Sequence, residues 1–200
     1  MKKLLAVITA ILLSQPLLAE ALIEDNFSAE KLEGRRPARG EWKVADGAIS
    51  VEFDQKLYEQ HKSHGPILWY IHKPVKDCTV EFKYMINNET NGVTFTYNGK
   101  GGHVYRTLIK KSTGNNKKNT ITKSWDSEHK SSSMGSYDTP LKDGDWVTVK
   151  LTFKGNDLTI DHGEQSNKFT NEHISRDKSH FSIQFNGGNL KVKDLKISTE

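Results

Sequence analysis

Residues 145–163 read DWVTVKLTFKGNDLTIDHG. Val147, Val149, Leu151 and Phe153 recur at every second position, and Leu158 and Ile160 resume the alternation after Gly155-Asn156-Asp157. A period of two sends one set of side chains to a dry face and the other toward water, and the Gly-Asn-Asp turn folds the second run back on the first. The stretch predicts an antiparallel hairpin with one apolar face, which a second layer must cover.

The same signature spreads in both directions. In CTVEFKYMI (residues 78–86), Cys78, Val80, Phe82, Tyr84 and Ile86 point one way while Thr79, Glu81 and Lys83 point the other. In GEWKVADGAISVEF (40–53), Trp42 and Val44 precede an Asp46-Gly47 turn and Ile49, Val51 and Phe53 follow it, which predicts a hairpin with a primed turn. GVTFTYNG, GHVYRTLIK, NTITKSW and HFSIQF extend the pattern. In NLKVKDLKI (189–197), Leu190 and Val192 change phase to Leu195 and Ile197, predicting a bulge at Lys193-Asp194. GPILWYIHK (65–73) is apolar on both faces and is assigned as a central strand, with Trp42 and Trp69 in the core and Trp146 as a packing residue. Helical periodicity is confined to the first residues and to one turn in NEHISRDKSHF. About eleven short strands without linkers or repeats predict an all-β, two-sheet antiparallel sandwich.

The chain starts MKKLLAVITAILLSQPLLAEAL: two lysines, an apolar run from Leu4 to Leu13, then Ala19-Glu20-Ala21. This is the pattern of a secretory signal peptide over residues 1–21, with cleavage after Ala19 as the alternative, followed by one domain over 22–200 in the periplasm or outside the cell. The apolar run is too short to span a bilayer, and no membrane span is expected. The lone Cys78 has no internal disulfide partner and reads as a buried, inert thiol.

Removing Lys2, Lys3 and Glu20 lowers the net charge from +4 to +3. Residues 110–130 hold six lysines against Asp126 and Glu128, so the excess is local. It has two readings: lysines solvating exposed loops and strand edges, or a strip for acidic glycans or phosphate. Nucleic acid is not an expected partner, because no aromatic-basic reader motif is present. NGGN (186–189) sits between strands and does not open a helix, which excludes a phosphate cradle. Nothing in the sequence specifies an oligomeric state or a cofactor.

The order of EDNFS (24–28), GEWKVADGAISVEF, HGPILWYIHKPVKDCTVEFKYMI (64–86), GHVYRTLI (102–109), PLKDGDWVTVKLTFKGNDLTIDHG (140–163) and KSHFSIQFNGGNLKVKDLKI (178–197) resembles the 3-keto-disaccharide hydrolase domain family over most of residues 22–198. The resemblance implies a concanavalin A-like jelly roll of the lectin and glucanase type, export, and carbohydrate as the partner. The implied chemistry starts from a C3 ketone that acidifies the C2 hydrogen, so that a base removes it, the glycosidic oxygen leaves and water adds afterwards. Such a route needs a base near neutral pKa and a cation or donor for the enolate oxygen.

GHVYRTLIK supplies both, with His103 as base and Arg106 as clamp. Residues three apart face opposite ways on a regular strand, so joint action requires a bulge between them. The resemblance adds His64, in KSHGP, as a further catalytic candidate. SWDSEHKSS (124–132) gathers Trp125, Asp126, His129 and Lys130 as a substrate-binding loop, with Trp125 as the sugar-stacking ring. Asp126 and His129 with His103 would be a sparse ligand set for a divalent ion, and no metal is assigned. The two-carboxylate glucanase signature E-x-D-x-x-E is broken: Glu52 and Asp54 are present, but Leu57 takes the third position. The pair reads instead as an outward strand face. A non-catalytic lectin-like module, holding glycan through Trp125, Arg106 and loop Asn and Asp residues, is the alternative to an enzyme.

Overall fold

The computed structural model describes residues 19–111, 118–139 and 142–199. Most of the expected leader, and residues 112–117, lie outside the described residues. No helix among those described is long and apolar enough to cross a membrane.

The strands form two antiparallel sheets. The first runs β13 (Gln165–Thr170), β12 (Asp157–His162), β11 (Val147–Lys154), β6 (Cys78–Ile86), β15 (Asn189–Thr199), β4 (Ala48–Glu52), β3 (Lys43–Ala45), with β1 (Ala21–Asp25) also paired to β15. The second runs β10 (Ser131–Tyr137), β9 (Thr120–Trp125), β8 (Gly102–Lys110), β7 (Gly92–Gly99), β14 (Lys178–Asn186), β5 (Ile67–Val75), β2 (Arg35–Ala38). The expected β11–β12 hairpin pairs Leu151 with Ile160 and Phe153 with Leu158. Its alternating residues Val149, Leu151 and Phe153 are fully buried. Aromatic rings lock the layers together: Phe82 meets Phe95 at 5.1 Å, and Phe153 meets Tyr97 and Tyr105 at 5.3 Å each, all edge-on. Such pairs add about 0.5–1.5 kcal/mol each to the area they bury.

The two predicted irregularities are present. Asp46 and Gly47 have φ of 52° and 68° between paired Ala45 and Ala48, the positive pair that a primed turn requires. The register of β15 against β6 slips between Lys193 and Lys196, with Asp194 at φ 53°.

EDNFS proves to be a clasp between the layers. Asp25 on β1 receives two hydrogen bonds from Arg35 Nη1 of β2, at 3.0 and 2.9 Å, one from the Tyr70 hydroxyl of β5 at 2.8 Å, and one from the Phe27 amide. Arg35 also donates to the carbonyls of Ala29 and Glu30 and lies over the Phe27 ring. Both charged side chains are buried, at 2% and 3% exposure, so neither can lose its partner without stranding a charge.

Three expectations need correction. Glu52 and Asp54 do not share a strand face: Glu52 ends β4, whereas Asp54 caps a short helix, α1 (Gln55–Gln60), by accepting from the Leu57 amide at 2.9 Å. Asp is a strong N-cap residue, and here the local cap outweighs strand alternation. β5 is not central but second from the edge, between β14 and β2. Its second apolar face is surface: Leu68 and Tyr70 point inward at 0% exposure, while Trp69 is half-buried on the outer face and Ile71 is exposed. Fifteen strands are described, because the short strands β1, β2, β10 and β13 have too little apolar alternation to be read in sequence.

Candidate functional site

Val104 and Tyr105 are consecutive on β8 and both fully buried. A regular strand would send one of them outward. Opposite them the register slips: Tyr97 pairs with Tyr105, but the next pair is Asn98 with His103. Val104 is the extra residue of a β-bulge, which turns His103 onto the same outer face as Arg106.

The two side chains then touch. Arg106 Nη2 donates to His103 Nε2 at 2.8 Å, and Arg106 Nε donates to Thr96 Oγ1 at 3.3 Å. Because a guanidinium only donates, Nε2 is the acceptor, and His103 is the neutral tautomer with its proton on Nδ1, donated to Asn98 Oδ1 at 2.7 Å. Burial, the adjacent Arg106 charge and His129 all lower the His103 pKa from its ordinary value. Trp125 walls the pair: its ring meets His103 edge-on at 5.2 Å, and the Arg106 guanidinium lies 5.5 Å from its centre. The result is a neutral imidazole beside a fixed cation, with an aromatic wall and the side chains of Thr96 and Asn98 at hand.

Arg176 ties this corner down. Its Nη1 donates to the carbonyls of Trp125 and Asp126 at 2.7 Å each and to that of His103 at 3.4 Å. Arg176 leaves a 3-10 turn, Glu172–Ser175, whose end is held by buried Lys178 donating to the carbonyls of Ile174 and Arg176. Burial lowers the Lys178 pKa to about 8.

The other expected residues divide. His129, at φ 63°, sits against Gly102: a Cβ on Gly102 would lie 3.2 Å from the His129 ring, so glycine admits the ring next to His103. Asp126 and Lys130 close their own turn. Asp126 Oδ1 accepts from the Glu128 and Lys130 amides, bonds that lower its pKa, and Lys130 pairs with Glu128. His64 is exposed and bonded through Nδ1 to the carbonyls of His61 and Lys62. It adjoins Gly65, which abuts the Phe185 carbonyl, whereas the His103 corner adjoins His180 through Asn98. The two histidines therefore lie toward opposite ends of β14, about 16 Å apart along the strand direction at the usual rise per residue. Among the described residues no group of three or more His, Cys, Asp or Glu side chains is placed to hold a metal ion.

Sequence reading missed Asn98, Thr96, Arg176 and the outward Trp69. Thr96 and Asn98 are cross-strand partners of Arg106 and His103, legible only once the register is known. His162 shows the contrast of a core histidine: it is buried, bonded to the Tyr84 hydroxyl at 2.8 Å, and its pKa is lowered to about 4 by burial.

The 3-keto-alpha-glucoside-1,2-lyase-like domain model matches residues 24–198. The chain belongs to that family. No curated protein sequence matches it. Similar solved structures place this 3-keto-alpha-glucoside-1,2-lyase-like domain among concanavalin A-like jelly rolls. The CBM2 module of the evolved Dit of Lactobacillus casei BL23 phage J-1 has a TM-score of 0.66 at 10% identity, covering 90% of this chain and 96% of the module. The Bacillus licheniformis beta-glucanase has 0.61 at 10% identity, covering 90% and 98%. The carbohydrate-binding module CBM66 from Bacillus subtilis has 0.58 at 11% identity, covering 83% and 96%.

Proposed function

We propose that this protein is an exported carbohydrate-active protein that processes 3-keto-glycosides by elimination and hydration at the His103–Arg106 corner. The observation that carries the reading is the bulge at Val104, which sets a neutral imidazole beside a guanidinium on one face. A 3-keto-glycoside seats its C3 oxygen on Arg106, and the guanidinium turns from His103 Nε2 toward the ketone. The freed Nε2 takes the C2 proton, and the electron pair is held as an enolate whose oxygen faces Arg106 and Thr96. The enolate collapses, a C1–C2 double bond forms, the C1–O bond breaks, and the departing oxygen receives the proton from His103. Water then adds across the double bond, its oxygen at C1 and a proton at C2, giving the free 3-keto sugar. The Nδ1–H bond to Asn98 keeps Nε2 as the basic nitrogen throughout.

One observation favours the lectin-like alternative: without ligand, the Nε2 lone pair is already filled by Arg106. A protein that only binds would keep that bond and use Trp125 as a platform, as expected if the resemblance to CBM66 and the CBM2 module extends to binding. Incubation with an aryl 3-keto-glucoside separates the two readings. The enzyme reading expects aglycone release that His103→Gln removes. Saccharide binding without release by the wild type contradicts it.

Export accompanies this reading. Glu20 already belongs to the fold: its carbonyl accepts from the Thr199 amide, its amide donates to Thr199 Oγ1, and its carboxylate meets Lys73 at 2.7 Å. These bonds favour a mature chain starting at Glu20, after Ala19, which N-terminal sequencing of secreted protein checks. A mature start at Leu22 contradicts that site.

A further inference from the structure

The strands of the second sheet, RRPA, ILWYIHKPV, GVTFTYNG, GHVYRTLIK, TITKSW, SSSMGSY and KSHFSIQFN, contain no Asp or Glu. The strands of the first sheet carry Glu52, Glu81, Asp157, Asp161 and Asp194 among others. The second sheet's outer face therefore has cations and no built-in counter-ion. Register lines them up in one row across the sheet: Arg36 beside Trp69, Trp69 beside Ser182, Ser182 beside Thr96, Thr96 beside Arg106, and Arg106 beside Lys123. Five strand spacings make the row about 24 Å long.

Arg106 and Lys123 stand directly opposite each other, a like-charge pair that costs stability. Among the described residues no carboxylate lies within ion-pairing distance of Arg36, Arg106 or Lys123. Four acids at the sheet's margins are already engaged: Glu20 with Lys73, Glu128 with Lys130, Asp138 with Lys118, and Asp126 with its own turn. Two tryptophans, Trp69 and Trp125, lie on this same face, and so do the exposed apolar residues Ile71 and Ile121.

We infer that this face binds an anionic oligosaccharide, one whose sugar rings carry carboxylate groups. The inference rests on the reading above that the His103–Arg106 face takes saccharide, and it names the class. Guanidinium forks match carboxylates in two parallel bonds, and the fixed anion cancels the Arg106–Lys123 repulsion. Trp69, about three strands from Arg106, offers a ring to a second sugar, while the buried Ser182 and Thr96 form a low floor between them. Spaced aromatic rings over a low floor between the cations favour a glycan over a nucleic acid or an anionic membrane.

Isothermal titration of the purified protein with an oligogalacturonate, and with the same oligomer as its neutral methyl ester, tests the inference. The charged oligomer is expected to bind roughly tenfold more tightly, with an advantage that shrinks as salt rises. Lys123→Glu is expected to remove most of that advantage, and Arg36→Glu part of it. Lys150→Glu, on the other sheet between Glu81 and Asp161, should leave it in place. Thermal unfolding of each variant confirms that the fold survives. Equal binding of the two oligomers, or binding of neither, overturns the anionic class, while the 3-keto-glycoside reading stands or falls by its own aglycone assay. Tighter binding to single-stranded DNA or to phosphatidylglycerol vesicles than to the oligogalacturonate also overturns it.

Discussion

The two sheets have the same architecture and opposite surface chemistry. On the eight-stranded sheet several cations meet acids across the strands: Lys150 lies between Glu81 and Asp161, Lys83 meets Asp194 at 2.9 Å, and Lys168 meets Asp157 at 2.8 Å, although Lys193 stands opposite Lys83. On the seven-stranded sheet the strands have no acid, and Arg106, Lys123 and Arg36 face outward without one. Both inner faces contribute to one apolar core, with Thr107, Thr122 and Ser124 as buried hydroxyls on β8 and β9. Inner faces are constrained by packing, outer faces by what they must meet, and here the strands of one sheet carry acids among their cations while those of the other carry none.

The largest expected effect is on chemistry. His103→Gln should lower aglycone release by about 10²–10⁴-fold, the usual worth of a general base, while Lys150→Gln on the other sheet leaves it unchanged. Equal losses from both would erase the distinction between the faces. Next comes the clasp that joins the layers. Asp25→Ala should cost about 3–5 kcal/mol in denaturant unfolding because Arg35 is left buried and unpaired, against under ~1 kcal/mol for Lys83→Ala, whose ion pair is exposed.

A third effect concerns the shared core. His162 is held neutral in the fold, with its pKa at about 4 against 6.5. Below pH 6.5 the unfolded chain takes up a proton that the folded chain refuses, so stability falls as pH drops from 6.5 to about 4, by up to ~3 kcal/mol. His162→Phe should flatten that slope in urea titrations across this range. The smallest effect is on His103 itself. Removing the neighbouring positive charge by Arg106→Gln should move the His103 titration upward in histidine-selective NMR, and an unmoved titration would mean that the Arg106 charge does not contribute.

Much of the fold is legible in the sequence because period-two alternation is strong wherever a strand faces the core. Residues 78–86 and 147–153 are read correctly from that alone, and the phase change at Lys193-Asp194 announces its bulge. Alternation fails where the outer face is also apolar: Trp69 looks like core until the fold shows that Leu68 and Tyr70 fill the inner side. It also fails at Asp54, where one capping hydrogen bond decides the local structure. Of the candidate corner, His103, Arg106 and Trp125 stand out by type. Val104 carries no mark as the bulged residue, and Asn98 and Thr96 become partners only through a pairing that depends on the neighbouring strand. The missing acids of the second sheet are visible in the sequence, but only after its strands have been assigned to one sheet.

The four tryptophans give the central claim a direct measurement. Trp69 and Trp125 lie on the outer face of the seven-stranded sheet, Trp146 lies under the Lys193 ammonium at the other sheet, and Trp42 packs against the core with its indole donated to the Ala38 carbonyl. In a proton–nitrogen correlation spectrum each indole gives its own peak. Titration with the oligogalacturonate is predicted to shift the Trp69 and Trp125 indoles together and leave those of Trp42 and Trp146 in place. Shifts at Trp146 or Trp42 with Trp69 and Trp125 unmoved would contradict the account.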